Sequence, residues 1–126
     1  MYSGTRGEHA ANQAMAVHVG HLLGRPELDE QHVVPFDGGH NAVNGVIRAC
    51  VAPLGSPQDE RQYVLLPTPC YPYFSTIINA HCGVIAYTAY SAEEMVRGIE
   101  TLINPQVGAV LLNTPHNPTG YALTPE

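Results

Sequence analysis

The strongest constraint on the fold of this chain is the alternation of short apolar runs with segments of helical periodicity. Residues 8–23 read as a helix, with Ala11, Ala14 or Met15, His18 and Leu22 at helical spacing, closed by Gly24 and Pro26. Residues 31–36 read as a valine-rich strand broken by Asp37-Gly38-Gly39, and 41–51 as a second helix through Ala42, Val43, Val46, Ile47 and Cys50. A strand at 62–66, a helix at 72–82 carrying Phe74, Ile77, Ile78 and His81 on one face, and a strand at 84–87 follow. Ser91-Ala92-Glu93-Glu94 is a capping box: the serine oxygen accepts a free amide and Glu94 reaches back to the serine N–H. It opens a helix to about residue 103. Residues 107–112 are nearly all apolar, as a strand covered on both faces requires. Thr124-Pro125-Glu126 has the form of another helix start. Strands alternating with helices predict an α/β architecture: a partial three-layer fold with a mostly parallel sheet and flanking helices.

Composition removes several classes of function. Of 126 residues, 44% are hydrophobic and 13% charged, too few charges for a disordered chain. The five basic residues are Arg6, Arg25, Arg48, Arg61 and Arg97, scattered in a chain of net charge −6, so nucleic acid is not an expected partner. No apolar run approaches the roughly 18 residues of a membrane span, and Met1-Tyr2-Ser3-Gly4-Thr5-Arg6 does not look like a signal peptide. Three cysteines, Cys50, Cys70 and Cys82, form no CxxC pair and indicate buried or free thiols in a reducing compartment, so a cytoplasmic location is expected. His18 and His21 lie three apart and His81 adjoins Cys82, but no further ligands fall at a metal-site spacing, and no metal is expected.

In parallel sheets ligands bind outside the carboxyl ends of the strands. Three of the four expected strands end in unusual clusters: Asp37-Gly38-Gly39-His40, Pro69-Cys70-Tyr71-Pro72, and Asn113-Thr114-Pro115-His116-Asn117-Pro118-Thr119-Gly120. Parallel strands would bring all three to one edge. Gly38-Gly39-His40 stands at a helix start, where free amides and the helix dipole favour an anion; the plainer alternative is a tight turn. Neither GxxxxGK[ST] nor GxGxxG occurs. Tyr71, between stiff prolines, offers a flat ring for stacking, or is an ordinary tyrosine. Asn117 presents an amide from a backbone stiffened by Pro118.

The last cluster resembles the Asn-x-Pro-x-Asn-Pro-Thr-Gly loop of the class I/II aminotransferases, the fold type I pyridoxal-phosphate enzymes, and matches it at every fixed position. Three further segments match in the family's order. Residues 63–72 look like its strand followed by Pro-x-Tyr-Pro, and 36–43 look like its Thr-x-Gly-Ala-x-x-Ala-Leu turn. Tyr2-Ser3, Gly7 and Ala14-Met15-Ala16 are similar to its Tyr-x-x-x-x-Gly segment and following helix. The resemblance covers essentially the whole chain and implies an incomplete large, cofactor-binding domain at 1–126, with the rest of that domain and the small domain absent. It implies that the backbone at Gly38, Gly39 and His40 holds the cofactor phosphate, with the His40 side chain joining it. Tyr71 would stack on the pyridine ring and Asn117 would bond its phenolic oxygen. Tyr2 would reach the phosphate in a neighbouring subunit across a dimer interface. The family usually has a small residue or hydroxyl at position 40, and alanine or serine at 39.

Such enzymes hold pyridoxal 5′-phosphate through a lysine Schiff base, and this sequence contains no lysine. In the family the lysine, the pyridinium aspartate and the substrate-binding arginine all follow the Asn-Pro-Thr-Gly loop, and six residues follow Gly120 here. The expectation is therefore the front part of an aminotransferase for amino acids and 2-oxo acids, with no catalytic residues of its own and inactive alone. It would work as a homodimer in the complete enzyme or with a complementary C-terminal piece. The alternatives are a lyase of the aminocyclopropane-carboxylate synthase type and a non-catalytic ligand- or partner-binding domain. An open sheet edge and uncovered apolar face should make the isolated chain poorly soluble or self-associating.

Overall fold

The computed structural model describes residues 7–123, the side chain of Ile77 excepted; Tyr2 and the expected helix start at Thr124-Pro125-Glu126 lie outside the described residues. The chain divides into two compact units, Met1–Ala42 and Val43–Glu126.

In the first unit, helix α1 spans His9–Leu23 and ends at Gly24, whose φ of 64° places it in the left-handed region. The chain then doubles back: the Arg25 amide donates to the Gly20 carbonyl at 2.7 Å. A Cβ on Gly20 would stand 2.6 Å from the Arg25 oxygen, so only glycine permits this return. The buried stripe of α1 is Asn12, Ala16 and Gly20. This corrects the expected face, since Ala11, Ala14, Met15, His18 and Leu22 are all exposed. Apolar residues fall on several sides of α1, and close approach of the backbone selects the small ones.

The strand expected at 31–36 does not form. Asp29 caps a 3-10 turn at Glu30–His32, accepting from the Gln31 amide at 2.8 Å while the His32 ring lies 2.7 Å from its carboxylate. The Gln31 amide, before all else, holds the Asp29 carboxyl below its ordinary range. A capped turn claims the start of the run, and Pro35 lacks a ladder donor. Helix α2, Gly39–Cys50, begins two residues before the expected start.

The second unit is built on a parallel sheet of β1 (Tyr63–Thr68), β2 (Gly83–Thr88) and β3 (Val107–Val110), in the order β2-β1-β3. Its registers include Leu65 opposite Ile85 and Leu65 opposite Val110. Helix α3 (Pro72–Asn79) joins β1 to β2, and α4 (Ala92–Leu102) joins β2 to β3. The period-two alternation of β1 divides the core in two. Val64 and Leu66 face Ile47 of α2, Val51 just beyond it, Ile78 of α3 and Cys82 in the turn that follows, α3 ending at Asn79 rather than at the expected 82. Leu65 faces the other way, onto Tyr87 of β2, Ala89 just after it, and Met95 of α4. Three layers result, with β1 buried on both sides. β3, expected to be covered on both faces, is only half-buried throughout.

Ser91 caps α4 as expected, accepting from the Glu94 amide at 3.2 Å. The reciprocal half differs: the Glu94 carboxylate accepts from the Tyr90 amide at 3.3 Å, one residue before the serine. The cysteines are free, and burial pushes the thiols of Cys70 and Cys82 up.

Candidate functional site at the carboxyl ends of the strands

Tyr71 follows the end of β1 and caps α3, with Pro72 at the first helical position. Its backbone oxygen accepts from the Phe74 amide at 3.0 Å. The Tyr71 ring is 40% exposed. It lies 5.7 Å from the Phe74 ring at an edge-on 81°, and 5.3 Å from Tyr73. Phe74 packs on the core, so the core fixes the ring through one intermediate while leaving it accessible.

Asn117 follows β3. Because β1 and β3 are parallel neighbours, Tyr71 and Asn117 both stand at the carboxyl edge of the same sheet. The loop carrying Asn117 is tied by its own side chains. Asn113 Oδ1 accepts from the Asn117 amide at 3.0 Å, and Thr114 Oγ1 accepts from the Leu123 amide at 3.0 Å. Tyr121 and Leu123 pack onto the core beneath it. The Asn117 side chain is exposed.

The base of this loop depends on a proline. The Leu111 amide donates to the Leu65 carbonyl at 2.9 Å. The next ladder bond would run from residue 67 to the Leu111 carbonyl, but Pro67 has no N–H. The orphaned carbonyl accepts instead from the hydroxyl of Tyr87, at 2.7 Å. Tyr87 stands opposite Pro67 in the register. Burial pushes its hydroxyl up to about 12, so it stays protonated and donating at neutral pH. Sequence reasoning missed this pair. Its signal was the proline directly after the apolar run of β1.

Gly38, Gly39 and His40 belong to the first unit and stand at the start of α2. They follow a 3-10 turn and an irregular segment, not a strand, so two of the three expected clusters sit at strand tips. Gly38 has a φ of 100°, and its carbonyl accepts from the Ala42 amide at 3.1 Å. A Cβ at Gly38 or Gly39 would meet nothing within 4 Å. The positive φ accounts for Gly38, whereas no crowding within the described residues accounts for Gly39. The Asp37 carboxylate, the acid nearest this helix start in sequence, accepts from the Asn41 side-chain amide at 2.9 Å. An exposed helix start with open space above its glycines fits a phosphate. An exposed ring and an exposed amide at one sheet edge fit a polar aromatic ligand. Each group by itself thus fits one part of pyridoxal phosphate, the helix start its phosphate and the sheet edge its ring.

A separate cleft of about 340 Å³ beside β2 and α4 is lined by Ala86, Thr88, Glu94, Arg97 and Thr101 among others, and by none of the sequence-predicted residues. Among the described residues, no group of three or more His, Cys, Asp or Glu is placed to hold a metal, and no helix is long and apolar enough to cross a membrane.

A parallel sheet flanked by helices, with built loops at its carboxyl edge, defines an α/β layer fold. Over residues 1–126 the chain matches the family described as aminotransferase class I and II. It belongs to that family. It is 32% identical over 101 residues to the "Probable N-acetyl-LL-diaminopimelate aminotransferase" of Bacillus subtilis (strain 168), covering 77% of this chain and 24% of that protein. It is also 32% identical over 118 residues to a histidinol-phosphate aminotransferase of Halobacterium salinarum, covering 86% of this chain and 30% of that one. The alanine aminotransferase of Pyrococcus furiosus has the same fold over 97% of this chain and 30% of its own, with a TM-score of 0.78 at 19% identity. The chain thus spans about a quarter to a third of these relatives.

Proposed function

We propose that this chain is the cofactor-binding front part of a pyridoxal-phosphate-dependent aminotransferase for amino acids and 2-oxo acids, and that these 126 residues are inactive alone. The observation that carries the proposal is the Asn-Thr-Pro-His-Asn-Pro-Thr-Gly loop at the β3 tip beside the Pro-Cys-Tyr-Pro segment at the β1 tip, in a chain matched to the family along its whole length. Bound pyridoxal phosphate supplies an electron sink for bond changes at an amino acid's α-carbon. The roles proposed for this chain's residues are binding and orientation. Gly38, Gly39 and His40 hold the phosphate, Tyr71 stacks on the ring, and Asn117 donates to the phenolic oxygen. Tyr2 serves the site of a neighbouring subunit in a homodimeric, cytoplasmic complete enzyme. No lysine is present among the 126 residues to hold the cofactor covalently.

Titration of the purified chain with pyridoxal 5′-phosphate tests this. Binding should be saturable and reversed by dialysis, and borohydride should leave no side-chain adduct by mass spectrometry. Tyr71→Ala should weaken it by about two- to tenfold, as loss of one stacking contact implies. Affinity unchanged in the Tyr71→Ala, Asn117→Ala double variant would overturn the site, and amino-group transfer by the chain alone would overturn the claim of inactivity.

A further inference from the structure

His116 lies within the β3-tip loop, next to Asn117, yet is only 2% exposed; it and Asn12 are the buried polar residues among those described. Its ring Nδ1 is 2.8 Å from Thr119 Oγ1, and its Nε2 is buried with no hydrogen-bond partner. An apolar side chain would fill the same space without that cost, and what the ring adds is the bond at Nδ1. Its backbone is held on both sides: the His116 amide donates to the Tyr121 carbonyl at 2.6 Å, and the His116 carbonyl accepts from the Gly120 amide at 2.7 Å. Thr119 Oγ1 also accepts from the Tyr121 amide at 3.4 Å. These bonds close residues 116–121 into a ring of contacts, and Asn117 and Pro118 form its outer side. The bond from the Asn117 amide to Asn113 fixes the remaining approach.

We infer that His116 is a positioning residue: through Nδ1 and Thr119 it braces the loop that aims the Asn117 amide, without itself touching the ligand. The inference rests on the reading of Asn117 proposed above. A buried N–H without an acceptor is rarer than a buried nitrogen lone pair without a donor. The ring is therefore the tautomer in which Nδ1–H donates to Thr119 and Nε2 carries the unused lone pair. This choice makes two isosteric tests unequal. The amide of asparagine reproduces a donor at the Nδ1 position, whereas that of glutamine reproduces the Nε2 position.

The probes are pyridoxine 5′-phosphate, which has the phenolic oxygen but no aldehyde, and its 3-deoxy analogue. The wild-type chain should prefer the first by about tenfold, as one hydrogen bond to a charged oxygen implies. His116→Gln and Thr119→Val should abolish that preference while leaving affinity for the 3-deoxy analogue unchanged. His116→Asn and Thr119→Ser should keep it. Tenfold preference retained in His116→Gln overturns the inference; equal weakening of both probes shows general loss of folding and also overturns it. Absence of any preference in the wild type removes the Asn117 reading instead. The brace is then decided without ligand by amide hydrogen exchange. His116→Gln should speed exchange at Gly120 and Asn117 by about tenfold, with Val64 and Leu66 in β1 unchanged. Unchanged exchange at Gly120 overturns the brace.

Discussion

In the second unit β1 is buried on both faces and divides the core into two clusters, whereas in the first unit α1 buries Asn12, Ala16 and Gly20 and leaves Met15, Val17, Leu22 and Leu23 exposed. The sheet unit is ordered by apolar burial. In the first unit the described order comes from local devices: a left-handed C-cap, a chain reversal over Gly20, and the Asp29-capped turn. The contrast teaches that α1 with its capped turn and the sheet with its helices stand on differently built supports. Loss of apolar volume should be felt strongly in one and weakly in the other.

Leu65→Ala, at the centre of the sheet and 0% exposed, should show the largest effect. A loss of about 2–5 kcal/mol in denaturant unfolding is expected. Tyr87→Phe removes the donor that replaces the missing N–H of Pro67 and should cost about 1–2 kcal/mol. It also carries a pH signature. The Tyr87 hydroxyl rises from 10 to about 12 on folding, so its stabilising contribution is complete below pH 10 and is lost as pH climbs through 12. The part of the alkaline loss of stability between pH 10 and 12 that belongs to this hydroxyl should vanish in Tyr87→Phe, as a pH series of melting curves would show. Ser91→Ala, which strips the cap from α4, should cost about 1 kcal/mol. Leu22→Ser, at 68% exposure, should stay within about 0.5 kcal/mol. If Leu22→Ser cost as much as Leu65→Ala, the contrast between the units would collapse.

The same contrast separates what was legible in the sequence from what was not. Strands β1, β2 and β3 and helices α3 and α4 could be read because their apolar periodicity coincides with the faces they bury. Met95 and Ile99 do so in α4, and Val64 and Leu66 in β1. The Asn117 loop was legible as a motif. The α1 face was not, because Asn12 and Gly20 are buried for their size and fit and carry no hydrophobic signal. Residues 31–36 misled because valine content outweighed a side-chain cap at Asp29 that acts three residues away. His116 could not be found by pattern, and Tyr87 only through the proline that stands opposite it. Their roles arise from atoms brought together by the fold: Nδ1 with Thr119, and a hydroxyl with a carbonyl 24 residues further on.

Pro67 has one further consequence. With no hydrogen to offer at that height, β1 lacks the next donor toward β3, and the described ladder between the two strands ends with the bond from Leu111 to Leu65. A single imino acid thus removes one rung on the β3 side of β1, while the β2 side stays paired through Thr68. Restoring an ordinary amide at position 67 would set a backbone donor in competition with the Tyr87 hydroxyl for the Leu111 carbonyl.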